Sequence, residues 1–473
     1  MYLDGLSETV SSSGVFTQPE ILEGYGAGEG AGNALPAAVV FPGNVEEVSS
    51  LLRWAPGTGV KVVPVSSAGR HASAAVRSSG YVVADLSSMK KVVRADRRNR
   101  VALVEPGVTF GELDEALSRV GLRAMAPLAV RKGKSVVAAY LDRVPTLVPR
   151  AQWDLSDPLL CIEVVMGTGK VFRTGCSAGP GTLEEQWSTG QAQKNPMGPS
   201  AFDFFRLAQG SRGSFGIVTW ASMKCELRPV EHELLMVPSG TLAPLIESVY
   251  RVSRAKWGEE CLLLNSTALE RLTGVAGMPE WALLLGVAGF DYRPAQRVAY
   301  QGRGIGSILR AEGVRTARSL AGVGGGRMLQ AITAGSDPCW KDALGRHSDI
   351  YFLTTLDRAG EFARVVRDAC EERGWPLPQT AIYVQPQLGG RVAHFEVTVL
   401  FAPGQAEKAA GLTRALAESL AARGAYFSRP SGNWDDIAYS GKPLLVRTFV
   451  RAKGIYDPEN ILNPDAPCCR EVV

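Results

Sequence analysis

The segment from Ala37 to Val65, AAVVFPGNVEEVSSLLRWAPGTGVKVVPV, constrains the fold more than any other part of the chain. It begins with a short apolar run rich in β-branched residues and ends with a second run of the same kind. Between them, apolar side chains recur at helical spacing, at Val45, Val48, Leu51 and Leu52. The segment therefore predicts a strand, a helix and a second strand, which together form one α/β unit.

Further elements extend this layer along the chain. YVVADL and VALVEPGVT predict two more strands, and FGELDEALSRVGL predicts an amphipathic helix that Gly121 ends. The pattern of residues 159–175 predicts a hairpin that turns at Gly167 to Gly169. Residues 215–227 alternate as a strand does, and the preceding GSRGSFG places glycines where backbone must come close to something.

The pattern changes after residue 230. Helical segments such as LAPLIESVYRVSR and EFARVVRDACEERG alternate with strands such as WALLLGVAGF, DIYFLTTL, TAIYVQP and HFEVTVLF. This alternation predicts an α+β domain with a largely antiparallel sheet over residues 231–425. The segment that contains RTFVRAKGIYDPENILNP predicts a helix and an extended tail able to return to the first domain.

Composition excludes several classes of protein. A chain of 473 residues predicts two or three domains. Lys and Arg exceed Asp and Glu by only four, so the charge does not indicate a nucleic-acid-binding protein. The first residues lack a signal-peptide pattern, and no apolar run reaches 18 residues, so we expect a cytoplasmic protein without a membrane partner. Eight cysteines without CxxC spacing and four scattered histidines predict no metal site.

The loop VPVSSAGRHASAA follows the second strand of the first unit. Its small residues, Ser66, Ser67, Ala68 and Gly69, let successive backbone N–H groups converge on an anion such as a phosphate. The loop is neither a Walker motif nor a GxGxxG fingerprint. Arg70 and His71 would add positive charge at its rim. Considered alone, the same residues are also compatible with an ordinary polar turn.

The motifs AVVFPGNVEEV, SSAGRHAS, YVVADLSSM, VALVEPGVTFGEL and GSRGSFGIVT occur in this order, with KGIYDPENILNP near the C-terminus. Together they resemble the FAD-binding domain of the vanillyl-alcohol oxidase/p-cresol methylhydroxylase flavoproteins. The resemblance implies an α+β protein of two domains. An FAD-binding domain of two α/β subdomains spans residues 1–230, with its core at 36–228. A cap domain with an antiparallel sheet spans residues 231–425, and residues 426–473 return to the first domain.

The same resemblance implies which residues bind FAD. The pyrophosphate would be held by the loop, a proline turn would pass close to the flavin, and the glycine-rich approach to the strand that ends at Leu227 would line the FAD, as would Ser135. The residues are Ser66, Ser67, Ala68, Gly69, Arg70, His71, Ala72, Pro106, Gly107, Val108, Ser135, Gly213, Ser214, Gly216, Ile217 and Val218.

One stretch departs from the family. Where its members carry a Gly-rich, Asn-containing segment along the flavin, this chain has RKGKSVVAAYLDR, from Arg131 to Arg143. Lys132 and Lys134 replace small residues, and Ala138 and Ala139 stand where a Gly–Asn pair would be expected. The departure leaves open whether flavin binding is weakened, or whether the lysines stabilise a reduced flavin or an anionic substrate.

Three candidate catalytic residues lie in the cap and C-terminal parts. His394 begins a cap strand, and it is either the covalent attachment point for FAD, a catalytic base, or a core histidine; His71 is a second candidate for attachment. Arg429 matches a family arginine that binds a phenolate. The tyrosine that precedes this arginine in the family is replaced by Ser428, and Tyr426 would point to the same face of a strand.

These observations predict an FAD-linked oxidase or dehydrogenase. The first hypothesis is oxidation of a para-substituted phenolic alcohol or methyl group by hydride transfer to the flavin N5. The alternatives are a dehydrogenase of 2-hydroxy acids or other anionic alcohols, and a diverged flavoprotein subunit of an electron-transfer complex. The expected partners are a small substrate, an electron acceptor (oxygen, or a cytochrome or other redox protein), and a second copy or a partner subunit.

Overall fold

The computed structural model describes residues 3–10, 14–26, 35–67, 80–151, 157–189, 205–335, 339–466 and 468. Five residues predicted to bind the cofactor, Ala68, Gly69, Arg70, His71 and Ala72, lie outside these ranges. Among the helices that are described, none has the length and apolar character needed to cross a membrane.

The first sheet contains the predicted strand–helix–strand unit. Its strands are β1 (Val15–Phe16), β2 (Ala38–Val40), β3 (Val62–Val65) and β4 (Val82–Asp85), in the order β1-β2-β4-β3. β2 and β3 both run parallel to β4, because helices and loops cross over between them. The crossing helix spans Val45–Thr58, starts at Asn44, whose side chain accepts a hydrogen bond from the Glu47 amide, and ends at Gly59 with φ 71°.

The second sheet is antiparallel and is centred on one long strand. Its members are β5 (Val92–Asp96), β6 (Val101–Val104), β7 (Leu122–Ala124), β8 (Leu159–Val165), β9 (Val171–Arg173) and β10 (Ile217–Leu227). The order is β5-β6-β10-β8-β9, and β7 pairs with β10. The predicted hairpin of residues 159–175 and the predicted strand ending at Leu227 are both present.

The third sheet has seven antiparallel strands. The strands that follow residue 230 are β11 (Glu231–Ser239), β12 (Cys261–Asn265), β13 (Trp281–Gly289), β14 (Ser319–Leu320), β15 (Val323–Gly324), β16 (Arg346–Thr354), β17 (Thr380–Gln387), β18 (Val392–Phe401) and β19 (Tyr426–Phe427). The sheet order is β11-β13-β12-β17-β18-β16-β19, and β14 pairs only with β15. The antiparallel sheet predicted for this part of the chain is present.

The helices cover these sheets. They are α1 (Leu6–Thr9), α2 (Pro19–Gly26), α3 (Val45–Thr58), α4 (Phe110–Ser118), α5 (Val136–Leu141), α6 (Leu183–Ser188), α7 (Phe205–Ala208), α8 (Ala243–Arg254), α9 (Ser266–Thr273), α10 (Pro294–Ala311), α11 (Gly325–Thr333), α12 (Ala359–Glu372), α13 (Ala406–Ala422), α14 (Asp435–Tyr439) and α15 (Pro443–Tyr456). Helices α8, α12 and α13 bury their apolar stripes on one face of the third sheet, which forms the largest core.

Distant parts of the chain meet at the first sheet. The Val62 amide donates to the Ile461 carbonyl at 2.8 Å, and the Asn463 amide donates to the Val62 carbonyl at 2.9 Å. The buried Asp457 carboxylate accepts from the Ile461 and Leu462 amides, which fixes this return segment. The division into domains at residues 230 and 425 stays a prediction.

Candidate functional site

A cavity of about 380 Å³ lies where the first two sheets meet the third. This volume falls in the range of small-molecule pockets. One side is contributed by the end of β3, the Pro106 turn, helix α5 and the approach to β10. The other side comes from β16, β19 and the segment that follows β19. A ligand in this cavity would therefore contact both parts of the chain.

The predicted cofactor residues cluster on the first side. Those that line the cavity are Ser66, Ser67, Pro106, Gly213, Gly216, Ile217 and Val218. Of the remaining described ones, Gly107 and Ser214 directly follow lining residues in the sequence, and Val108 follows Gly107. Ser135 hydrogen-bonds to two of the lining residues. The Ser135 hydroxyl is fully buried, donates to the Pro106 carbonyl at 2.6 Å and caps α5, while its amide donates to Ser67 Oγ at 2.7 Å. Ser135 thus supports the cavity wall and joins three of its segments.

The glycines of this wall are required by close backbone packing. A Cβ on Gly107 would lie 2.6 Å from the Leu86 carbonyl oxygen and 2.7 Å from that of Met89. A Cβ on Gly213 would collide with the Pro64 side chain, and one on Gly216 would collide with the Val164 side chain. The sequence pattern predicted such a close approach of backbone. Val108 and Ser214, which directly follow Gly107 and Gly213 in the sequence, are fully buried.

The described lining of the cavity is strongly cationic. It contains one carboxylate, Asp142, and the cations Arg131, Lys134, Arg143, Arg212, Arg429 and Lys442. Several of their buried donor atoms make no hydrogen bond within the described residues, namely Arg143 Nε, Arg212 Nη1 and Arg429 Nε. Unpaired buried donors are costly unless a ligand satisfies them. This donor set fits an anionic ligand such as the pyrophosphate of FAD.

Arg429 forms the wall on the opposite side. Its guanidinium lies over the Tyr351 ring at 3.7 Å from the centroid, and its Nη2 is 3.9 Å from Glu396 Oε2. Both the ring contact and the carboxylate restrict the guanidinium to one orientation. The neighbouring Ser428 hydroxyl is buried and makes no hydrogen bond among the described residues. This end of the cavity therefore presents a fixed cation and free donors.

A cluster of buried charges stands behind Arg429. Lys341 Nζ contacts Asp349 Oδ2 at 2.7 Å and also binds Glu396, and the Tyr351 hydroxyl donates to Asp349. Burial raises the pKa of Glu396, but Lys341, His394 and Arg429 outweigh it and hold that pKa well below its ordinary value. Burial likewise lowers the pKa of Lys341, and the two carboxylates reverse this to a value well above the ordinary one.

His394 belongs to this cluster. Its side chain is fully buried, its Nε2 is 3.2 Å from Glu396 Oε2, and its ring stacks on Tyr351 at 6.2 Å between centroids. Burial lowers its pKa despite the neighbouring Glu396, so the imidazole is neutral at pH 7. The ring thus lies behind the cavity wall, in the position of a core histidine. Its predicted attachment to a flavin stays a prediction.

Tyr426 and Ser428 both line the cavity. β19 ends at Phe427, and Tyr426 is 62% exposed at the cavity rim, whereas Ser428 is buried. That both side chains point to one face stays a prediction, because the strand that would impose a period of two ends before Ser428. The chain turns towards Pro430 immediately after Arg429.

Sequence reasoning missed Lys341, Asp349, Tyr351 and Glu396. A signal was present, since polar residues alternate with apolar ones at Asp349 and Tyr351 on β16 and at His394, Glu396 and Thr398 on β18. These positions share a face of adjacent strands, and the ladder pairs Tyr351 with Glu396 and Asp349 with Thr398. Lys341 precedes β16 and carries no such periodic signal.

Comparison with known proteins concerns the domain that forms one side of this cavity and the fold of the whole chain. The family model for the FAD binding domain matches residues 36–175. A mitochondrial D-lactate dehydrogenase [cytochrome] of Arabidopsis thaliana is 28% identical over 203 residues, which is 43% of this chain and 32% of the relative. The 4-cresol dehydrogenase [hydroxylating] flavoprotein subunit of Pseudomonas putida is 31% identical over 192 residues, 39% of this chain and 34% of the relative. The chain thus spans about a third of these two relatives.

A solved structure of p-cresol methylhydroxylase with substrate bound matches over nearly the whole chain. The TM-score is 0.80 at 17% identity, and the match covers 99% of this chain and 96% of the other. The predicted fold is therefore confirmed. Residues 36–175 form an FAD-binding domain, and FAD is confirmed as the cofactor class. The chain therefore has an FAD-binding domain and the fold of p-cresol methylhydroxylase, and the proteins that it resembles are FAD-linked oxidases and dehydrogenases.

Proposed function

We propose that the protein is an FAD-dependent oxidoreductase that oxidises a para-substituted phenolic alcohol or methyl group. The observation that carries the proposal is the Arg429 guanidinium fixed over Tyr351 in the cavity wall. Five aromatic side chains line the same cavity and suit an aromatic substrate, namely Tyr351, Tyr426, Phe427, Tyr439 and Phe449. Two relatives named for 4-cresol and p-cresol support this choice.

Each wall of the cavity has a distinct part in this function. Ser66, Ser67 and the Gly213–Gly216 segment would hold FAD, and Arg212 and Arg143 would supply donors to its phosphates. Bound FAD supplies the acceptor for the hydride that leaves the substrate carbon. Arg429 would bind the substrate oxygen and favour its ionised form, whose negative charge is drawn into the ring as the hydride leaves the carbon of the para substituent. Tyr351 and Glu396 keep the guanidinium in place, so no reorganisation is needed during the reaction.

A second candidate is oxidation of a 2-hydroxy acid or another anionic alcohol. The excess of cations in the cavity lining and the match to a protein named D-lactate dehydrogenase favour it. The electron acceptor is oxygen or a redox protein such as a cytochrome. The relative named as a flavoprotein subunit supports a partner subunit, with a homodimer as the alternative assembly.

The proposal is tested with purified protein. We expect a yellow protein whose flavin absorbance is bleached without oxygen by 4-alkylphenols faster than by 2-hydroxy acids. After acid precipitation, flavin in the supernatant indicates free FAD, and flavin in the pellet indicates covalently attached FAD. A preparation without flavin, or one that no phenol and no hydroxy acid reduces, would contradict the proposal.

The role of Arg429 is tested by Arg429→Ala. Loss of a charge-assisted hydrogen bond to the substrate oxygen predicts flavin reduction about ten- to hundredfold slower, measured by stopped-flow absorbance. The control is Arg423→Ala, an exposed arginine at the end of α13, which should reduce at the wild-type rate. Equal rates of flavin reduction in the two variants would contradict the role of Arg429 in binding the substrate oxygen.

A further inference from the structure

Lys134 is a cation in the cavity wall that forms no ion pair with any described residue. It lies in the RKGKSVVAAYLDR stretch, immediately before Ser135 and α5, and it lines the cavity. Within the described part of the chain, no hydrogen bond or ion pair engages its Nζ. A partly buried ammonium group of this kind is costly unless it meets negative charge. The function proposed above gives Lys134 no role.

The charges around Lys134 do not neutralise it. Burial lowers the pKa of Lys134, Asp142 and Cys339 oppose this effect, and the cations Arg131 and Arg429 reinforce it. The lysine and Arg429 are thus close enough to repel each other. Repulsion between two cations that line one cavity favours an anion between them.

The two cations come from opposite sides of the cavity. The segment before Lys134 packs on the end of α11, where the Ala129 amide donates to the Ile332 carbonyl at 2.9 Å. A Cβ on Gly335 would lie 2.7 Å from the Val130 carbonyl oxygen. This contact anchors the segment before Lys134 on the end of α11. Arg429 follows β19, and the two cations line the same cavity.

We infer that Lys134 and Arg429 together bind one oxyanion of the substrate, a phenolate or a carboxylate, between the two sides of the cavity. The inference rests on the proposed function and deepens it. It makes Lys134 a residue that determines specificity for ionised substrates. The lysine provides a point charge, while the planar guanidinium provides oriented donors, so the pair accepts either anion. The Ser428 hydroxyl adds a neutral donor beside Arg429.

The test compares three variants of the FAD-loaded protein. Lys134→Gln removes the charge, Lys134→Arg keeps it, and Lys132→Gln is the control, since Lys132 is exposed two residues away and is not part of the cavity lining. Calorimetric titration at pH 8 uses three probes: 4-nitrophenolate, benzoate and neutral benzyl alcohol. Flavin content and thermal unfolding confirm that each variant is folded and loaded.

We expect Lys134→Gln to bind at least one of the two anions about ten- to hundredfold more weakly, with benzyl alcohol unaffected. Lys134→Arg and Lys132→Gln should stay near wild type. Weakening of 4-nitrophenolate alone identifies a phenolate site, and weakening of benzoate alone identifies a carboxylate site. The inference would be overturned if Lys134→Gln bound both anions as tightly as wild type does. It would also be overturned if the affinity for benzyl alcohol fell as much as the affinity for the anions.

The cofactor is the other source of negative charge, so the midpoint potential of the flavin is measured as well. A potential shifted in Lys134→Gln, together with unchanged anion binding, would assign the lysine to the flavin and overturn the inference. Failure of the proposed function is distinct from both results, since it would be seen in the wild type as absent flavin or as flavin that no substrate reduces.

Discussion

The Arg429 guanidinium is held by two neighbours of different kinds. Tyr351 supplies a ring face at 3.7 Å, and Glu396 supplies a carboxylate at 3.9 Å. Glu396 in turn is held by Lys341 and His394. The buried cluster contains Lys341 and Arg429 against Asp349 and Glu396, so its charges balance. The Tyr351 ring and the Glu396 carboxylate can therefore hold Arg429 in one position at the cavity wall.

The ring of Tyr351, rather than its hydroxyl, is expected to orient Arg429. Tyr351→Leu removes the ring and should slow flavin reduction by a phenol about tenfold, because a desolvated cation–π contact contributes up to about 2 kcal/mol. Tyr351→Phe keeps the ring and should stay within about threefold of wild type. Stopped-flow reduction of both variants measures this difference, and equal losses in the two would assign the effect to the hydroxyl.

Residue-level predictions came from recognisable motifs. Arg429, Ser66 and Gly213 were selected in this way, and all three line the cavity, while their binding of substrate or FAD stays a prediction. Tyr351 and Glu396 were not found, because their role depends on strand pairing between residues 45 positions apart. Tertiary contacts of this kind leave only a weak alternation in the sequence.

At the scale of elements, the Pro106–Gly107 turn joins a strand to the α4 helix and forms part of the cavity wall. The Gly107 amide donates to the Met89 carbonyl at 2.7 Å, and Thr109 caps α4 through a reciprocal pair with Glu112. The turn therefore couples the loop after β4 to the cavity. Its glycine was predicted from a motif, whereas the contact that requires it was not.

Gly107→Ala should destabilise the protein by about 1–3 kcal/mol, because the new methyl group would meet three backbone atoms within 2.9 Å. It should also lower the FAD content of the purified protein. The matched control is Gly57→Ala near the end of α3, where nothing lies within 4 Å of the new Cβ. Urea unfolding measures both, and a Gly107→Ala variant as stable as wild type would contradict the close packing.

Periodicity predicted long elements well and short ones badly. α3, α12 and β13 follow clear apolar patterns, and the structure has them where they were expected. β19 is only two residues long, so alternation could not be extended from Tyr426 to Ser428. Strand length is set by its pairing with β16, which a local pattern does not encode.

At the scale of the whole molecule, a buried ion network links the second and third sheets. Arg123 of β7 lies 3.0 Å from Glu260 Oε1, and His232 of β11 lies 2.7 Å from the other oxygen of that carboxylate. Arg150 adds a contact to Glu259 at 3.0 Å. The network fixes how the two sheets meet, and the cavity lies along the same junction.

Glu260→Gln should destabilise the protein at pH 7 by about 3–5 kcal/mol, the usual cost of breaking a buried ion pair. Burial raises the pKa of Glu260, but His232 and Arg123 lower it below its ordinary value of 4.5. A carboxyl group of this kind stabilises the fold above pH 4.5 and loses that contribution as the pH falls. The difference between wild type and variant, measured by urea unfolding, should therefore shrink below pH 4.5.

The exposed pair Arg97–Asp291 provides the control, because it joins the same two parts of the chain at the surface. Asp291→Asn should cost less than about 1 kcal/mol at any pH. A Glu260→Gln variant as stable as Asp291→Asn, or a difference from wild type that does not depend on pH, would show that the buried network does not hold the sheets together.

The backbone pairing of Val62 with Ile461 and Asn463 has a consequence for biosynthesis. The first sheet is completed by residues about 400 positions later in the chain, so the ribosome must make these residues before this edge can close. Contacts between such distant residues are slow to form. Until then β3 remains an open edge, where another chain could pair and aggregate, so co-translational folding should depend on chaperones that cover it.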